Sequence, residues 1–100
     1  MNMQQMMMQA QKMQRELRKA KEELAKKEFT VSKGGLVSVK MNGAYNVLSI
    51  SIDEEGFDKE NKEMIEELIA SAINELYKTI KMSEEKIEES ITGRMGGLGF

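Results

Sequence analysis

The sequence contains no cysteine and no histidine. Their absence removes disulfides, thiol nucleophiles, imidazole bases and nearly every zinc site. Aromatic residues make up only 5% of the chain, too few for a surface that stacks on nucleobases. No apolar run approaches the roughly 18 residues a membrane span requires. The start is too polar for the core of a secretion signal, so the expectation is a soluble, cytoplasmic chain. There is no P-loop, nucleophile elbow or metal-ligand cluster. The many glutamates alternate with lysines on helical faces, where they stay ionised and solvated rather than paired in a pocket. The expectation is therefore a protein that is not an enzyme, with no cofactor, no metal and no small-molecule substrate.

What is present is charge, and it is unevenly placed. The total over 100 residues is −2. Residues 1–27 hold seven Lys/Arg against three Glu, a net of +4, whereas residues 58–89 hold five against ten, a net of −5. A polyanion responds to the patch within a Debye length of roughly 8–10 Å more than to the sum. One domain is expected at this length, with a modest core that a second subunit would help complete.

Residues 1–27 lack both glycine and proline and are rich in Met, Gln, Lys, Glu, Leu and Ala. They predict a helix about 40 Å long. Met3, Met6, Ala10, Met13, Leu17, Ala20 and Leu24 recur at alternating spacings of three and four, a seam that needs a helical partner. Glu16 and Lys21 would attract across a parallel self-pair while Glu23 and Glu28 would repel, so the second long helix is at least as good a partner. The face away from the seam carries Lys12, Arg15, Arg18, Lys19 and Lys26. That row is either a solvated face laced with i,i+4 pairs or a set of phosphate contacts along a duplex. The Met-rich seam and tip also fit a clamp that grips apolar partners.

The centre of the chain, Leu36 to Asp53, is two β-branched runs joined at Asn42-Gly43, a hairpin signal. A two-residue turn there pairs Met41 with Ala44, Val39 with Asn46 and Val37 with Leu48, and puts Leu48, Ile50 and Ile52 on the same face. Residues 28–32 read as a preceding strand, closed onto the next by Lys33-Gly34-Gly35, whose glycines supply positive φ. Together residues 28–53 form a sheet. A second helix is expected over residues 58–91, N-capped by Asp58 or Asn61. Its wide stripe of Ile65, Leu68, Ile69, Ala72, Ile73, Leu76 and Ile80 is fit to cover that sheet. The stripe thins after Ile80, where Ser83 is suited to open a new segment, so the last turns are expected to be weakly anchored. Residues 1–92 thus form one α+β domain: a long N-terminal helix, a three-stranded antiparallel meander and a long C-terminal helix. Residues 93–100 form a flexible Gly-rich tail.

This order, with the strings Met6–Gln14, Gly35–Val39, Asn42-Gly43-Ala44, Ile52-Asp53 and Asn61–Asn74, resembles the YbaB/EbfC family of bacterial nucleoid-associated proteins. The resemblance implies a homodimer joined through the sheet region, with long helices held out like the arms of tweezers. It further implies binding of duplex DNA with little sequence preference, in association with the nucleoid. Carried over by position, the expected DNA contacts are Lys12, Arg15, Arg18 and Lys19 on the projecting helix, with Lys26 nearer the hinge. Some relatives carry arginines on the third strand after the residue matching Asn46, whereas Val47-Leu48-Ser49 here is uncharged.

Overall fold

A computed structural model describes residues 2–96, with side chains through Gly93. The chain runs α1 (Met3–Lys26), β1 (Glu28–Lys33), β2 (Val37–Asn42), β3 (Val47–Ile52), two short 3-10 turns (Glu54–Phe57 and Lys59–Asn61) and α2 (Lys62–Gly96). The three strands form an antiparallel sheet in the order β1-β2-β3. The molecule measures 69 × 20 × 14 Å.

α1 starts where Asn2 caps it: the Asn2 Oδ1 accepts a hydrogen bond of 2.8 Å from the Gln5 N–H, satisfying one of the unpaired donors of the first turn. It ends at Lys27, whose extended backbone (ψ 142°) leads directly into β1. Gly34 and Gly35, at φ +59° and +68°, turn β1 into β2 as expected of a glycine pair.

The β2–β3 connection differs from the two-residue turn expected at Asn42-Gly43. Only Tyr45 has positive φ (+65°) there; Gly43 does not. The Tyr45 N–H donates to the Asn42 carbonyl and the Asn42 N–H to the Asn46 carbonyl, each at 3.0 Å. The Asn42 Oδ1 accepts from the Ala44 and Asn46 N–H groups at 3.0 and 3.1 Å. Asn42 therefore organises an Asx turn, followed by a left-handed residue. Gly43 is required for clearance instead: a Cβ there would lie 1.9 Å from the Leu24 carbonyl oxygen of α1.

The longer loop shifts the register. Val37 pairs with Ile52 and Val39 with Ile50, and a bulge between Lys40 and Met41 brings Met41 opposite Val47. The expected partners, Leu48, Asn46 and Ala44, are thus displaced. At Val37 and Val39 the slip is four residues, an even number, so Ile50 and Ile52 keep the face assigned to them.

α2 lies across β1 and β2 and then along α1. Val37, Val39 and Met41 of β2 form the buried core with Ile65, Ala72, Leu76 and Ile80 of α2, and Leu68, Ile69 and Ile73, the rest of the stripe expected for this helix, pack half-buried against it. The helix begins at Lys62 rather than residue 58. Asp58 instead caps the second 3-10 turn through the Glu60 N–H, and the Asn61 amide donates to the Glu55 carbonyl. Ser83 opens no new segment, since its hydroxyl bonds back to the Thr79 carbonyl at 3.0 Å and the helix continues unbroken. Ile91 is buried, so the late turns are anchored. The helix reaches Gly96, overlapping the segment expected as tail; residues 97–100 of that tail lie outside the described residues.

Candidate nucleic-acid interface

Burial along α1 follows its seam. Leu24 is buried, Met13, Leu17 and Ala20 are half-buried, and Met3, Met6 and Ala10 are exposed. Among the described residues the seam is therefore packed along the C-terminal half of the helix, where α2 runs beside it; ahead of that, Gln9 beside the seam is half-buried. Lys21 and Glu88 bridge the two helices at 3.0 Å.

Lys12, Arg15, Arg18, Lys19 and Lys26 are all exposed. Among the described residues none of the five is in an ion pair; the three pairs found are Lys21–Glu88, Lys33–Glu75 and Lys62–Glu66. The row nevertheless divides. Lys19 borders a groove shared with α2, together with Glu16, Ala20, Glu23, Lys86 and Ile91. Arg18, its neighbour in sequence, borders a shallow groove on the other flank of α1, with Leu17, Lys21 and Ala25. Consecutive residues on a helix lie about 100° apart, which sets the two side chains on different flanks. Lys86 adds a cation from α2 beside Lys19 that the sequence hides, because Glu84, Glu85, Glu88 and Glu89 surround it in the chain.

At the junction of helices and sheet, the Tyr45 and Tyr77 rings pack at a tilt of 42° with centroids 5.1 Å apart, and the Lys81 ammonium sits 5.9 Å over the Tyr77 ring. Burial, and then the neighbouring Glu84 carboxylate, push the Tyr45 hydroxyl above its ordinary value of 10.0. Tyr45 packs where its own positive-φ turn meets α2. Among the described residues, no group of three or more acidic side chains is arranged to hold a metal ion. Among the described residues no helix is long and apolar enough to cross a membrane.

The outer strand of the sheet contributes no charge. Val47, Leu48 and Ile50 of β3 are each more than two-fifths exposed. This is an uncovered apolar strip at an open sheet edge.

Residues 1–95 match the family model described as the YbaB/EbfC DNA-binding family. A nucleoid-associated protein of Mycoplasmopsis pulmonis is 43% identical over 91 residues, spanning 91% of this chain and 90% of its own. A nucleoid-associated protein of Clostridium novyi is 40% identical over 101 residues, spanning 100% of this chain and 86% of its own. Among solved structures, the crystal structure of an uncharacterized protein from Helicobacter pylori superposes with a TM-score of 0.76 at 26% identity. That match covers 92% of this chain and 98% of the other. Fold, order of elements and likeness over the full length agree: the chain belongs to the YbaB/EbfC DNA-binding family, a non-enzymatic family.

Proposed function

We propose that this protein is nucleoid-associated and binds duplex DNA as a homodimer, with low sequence specificity, through the basic face of α1. The carrying observation is the row of exposed cations on α1, Lys12, Arg15, Arg18, Lys19 and Lys26, without carboxylate partners among the described residues. A cation already paired gives up that pair to bind phosphate; these five do not. Phosphate contacts position a protein without reading bases, which accounts for low specificity. The uncovered strip on β3 supports the homodimer, since laying it against a second copy across a two-fold would hide it and hold the two α1 helices out as arms.

Eight phosphate contacts, four from each arm, predict a log–log salt slope of about −7. Anisotropy of a labelled random duplex, titrated at several salt concentrations, measures it. Arg15→Glu with Arg18→Glu should abolish binding while the dimer stays folded; retained binding by the folded double variant would overturn the assignment. The exposed methionines of α1 favour a second reading, a clamp for apolar partners. Salt separates the two readings, because apolar gripping survives several hundred millimolar and phosphate binding does not.

A further inference from the structure

The first part of α1 is unlike the rest of the chain. Residues 1–11 contain no charged side chain, in a protein that is 32% charged. They are Met, Gln, Asn and Ala alone. The helix is nonetheless formed and capped here, and it presents Met3, Met6, Met7 and Met8 to solvent, Met3 at 80% exposure. The Lys21–Glu88 bridge sets the level of the two antiparallel helices. Each step back along α1 matches a step forward along α2, so Gly96 falls level with about Met13. The seam Met3, Met6, Ala10 extends roughly 15 Å beyond that level.

From this we infer that the projecting end of α1 pairs with the same segment of a second copy, linking neighbouring molecules assembled on DNA. The inference rests on the proposed DNA binding, because it is the duplex that brings the ends together. Continuity of the seam argues for a helix as the occupant: Met3, Met6 and Ala10 keep the spacing of Met13, Leu17, Ala20 and Leu24, which already pack on one. Charge argues for which helix. The positions flanking the seam, exposed Met7 and half-buried Gln9, carry none, so two copies meet without repulsion in either orientation. A basic or acidic partner would find no complement here, whereas an identical Met/Gln surface offers matched apolar contact and amide hydrogen bonds. Fewer than three helical turns bury far less than the roughly 1,000 Å² of a stable interface. The contact therefore forms when copies are concentrated along a duplex, where effective concentration replaces affinity.

The test compares two duplexes, one just long enough for a single dimer and one that holds many. The variant Met3→Gln/Met6→Gln/Met7→Gln/Met8→Gln keeps good helix formers and adds no charge. It should bind the short duplex as the parent does and the long one about tenfold more weakly. In parallel, Met7→Cys provides one thiol in a chain that has no cysteine. A short bismaleimide should join two copies through it on the saturated long duplex, and Lys59→Cys should not be joined. Equal affinities of variant and parent on the long duplex, or absence of the Met7→Cys cross-link there, overturns the inference. If the parent binds neither duplex, DNA binding fails separately. The cross-link is then read in concentrated protein without DNA, where its presence sustains pairing and its absence ends it.

Discussion

β2 and β3 are neighbours in one sheet, carry similar alternating apolar residues, and meet opposite fates. Val37, Val39 and Met41 on β2 are 2%, 0% and 3% exposed, whereas Leu48 and Ile50 on β3 are each 46% exposed. Val39 and Ile50 are ladder partners, so the contrast arises between residues directly opposite each other. The cause is coverage. One helix is about 10 Å wide, and strands lie about 4.8 Å apart, so α2 roofs two strands and leaves the third bare. The difference teaches that an apolar pattern states what a strand is suited to bury, while the neighbouring layer decides whether it is buried within one subunit.

The sharpest way to test that contrast is to place the same charge on both strands. Val39→Asp should cost about 4 kcal/mol or more, because an unpaired carboxylate would enter the core, and chemical denaturation should find the chain largely unfolded. Ile50→Asp should leave the subunit folded, with a stability change of about 0.5 kcal/mol or less. The same variant should turn the proposed dimer into monomers, read by sedimentation. An unfolded Ile50→Asp variant would show that β3 belongs to the subunit core after all.

The turns provide the next comparison. Gly43→Ala drives a Cβ to within 1.9 Å of a backbone oxygen, so α1 must separate from the hairpin, at about 2–3 kcal/mol. Gly35→Ala meets nothing within 4 Å and suffers only its positive φ, at about 1 kcal/mol. Urea midpoints order the two. If Gly35→Ala costs as much as Gly43→Ala, the assigned role of clearance is wrong.

The smallest effect belongs to Tyr45. A raised pKa means that the folded state retains its proton where the unfolded chain has lost it. This contribution is fully present below the ordinary value of 10.0 and is lost as pH climbs through the folded value. Tyr45→Phe should therefore flatten the alkaline fall in stability above pH 10. Denaturation midpoints between neutral and alkaline pH measure it, and an unchanged slope would remove Tyr45 from the account.

Much of this was legible in the sequence. The glycine-free start gave α1, the 3.6-residue stripe from Ile65 to Ile80 gave the covering face of α2, and Gly34-Gly35 gave its turn. The register of β2 and β3 was not, because alternation has a period of two and cannot detect a slip of four. Asn42-Gly43 was misleading for a physical reason: the asparagine side chain builds the turn, and the glycine clears a carbonyl contributed from 19 residues earlier. The cations of α1 were legible as a row. Their division between two grooves was not, since it depends on where α2 lies, and Lys86 was concealed by its acidic neighbours.

The clasp at Gly43 also governs how the molecule ages. In an Asn-Gly pair the glycine nitrogen attacks the asparagine side-chain carbonyl carbon, ammonia leaves, and water opens the resulting succinimide to aspartate or isoaspartate. Here the Gly43 N–H is donated to the Lys27 carbonyl at 2.9 Å, and the Asn42 side-chain oxygen is held by two backbone donors. The attack must wait until the last turn of α1 lifts away. Isoaspartate at position 42 is therefore a slow chemical record of how often that clasp opens, and mass spectrometry of stored native protein against protein stored in urea would read it.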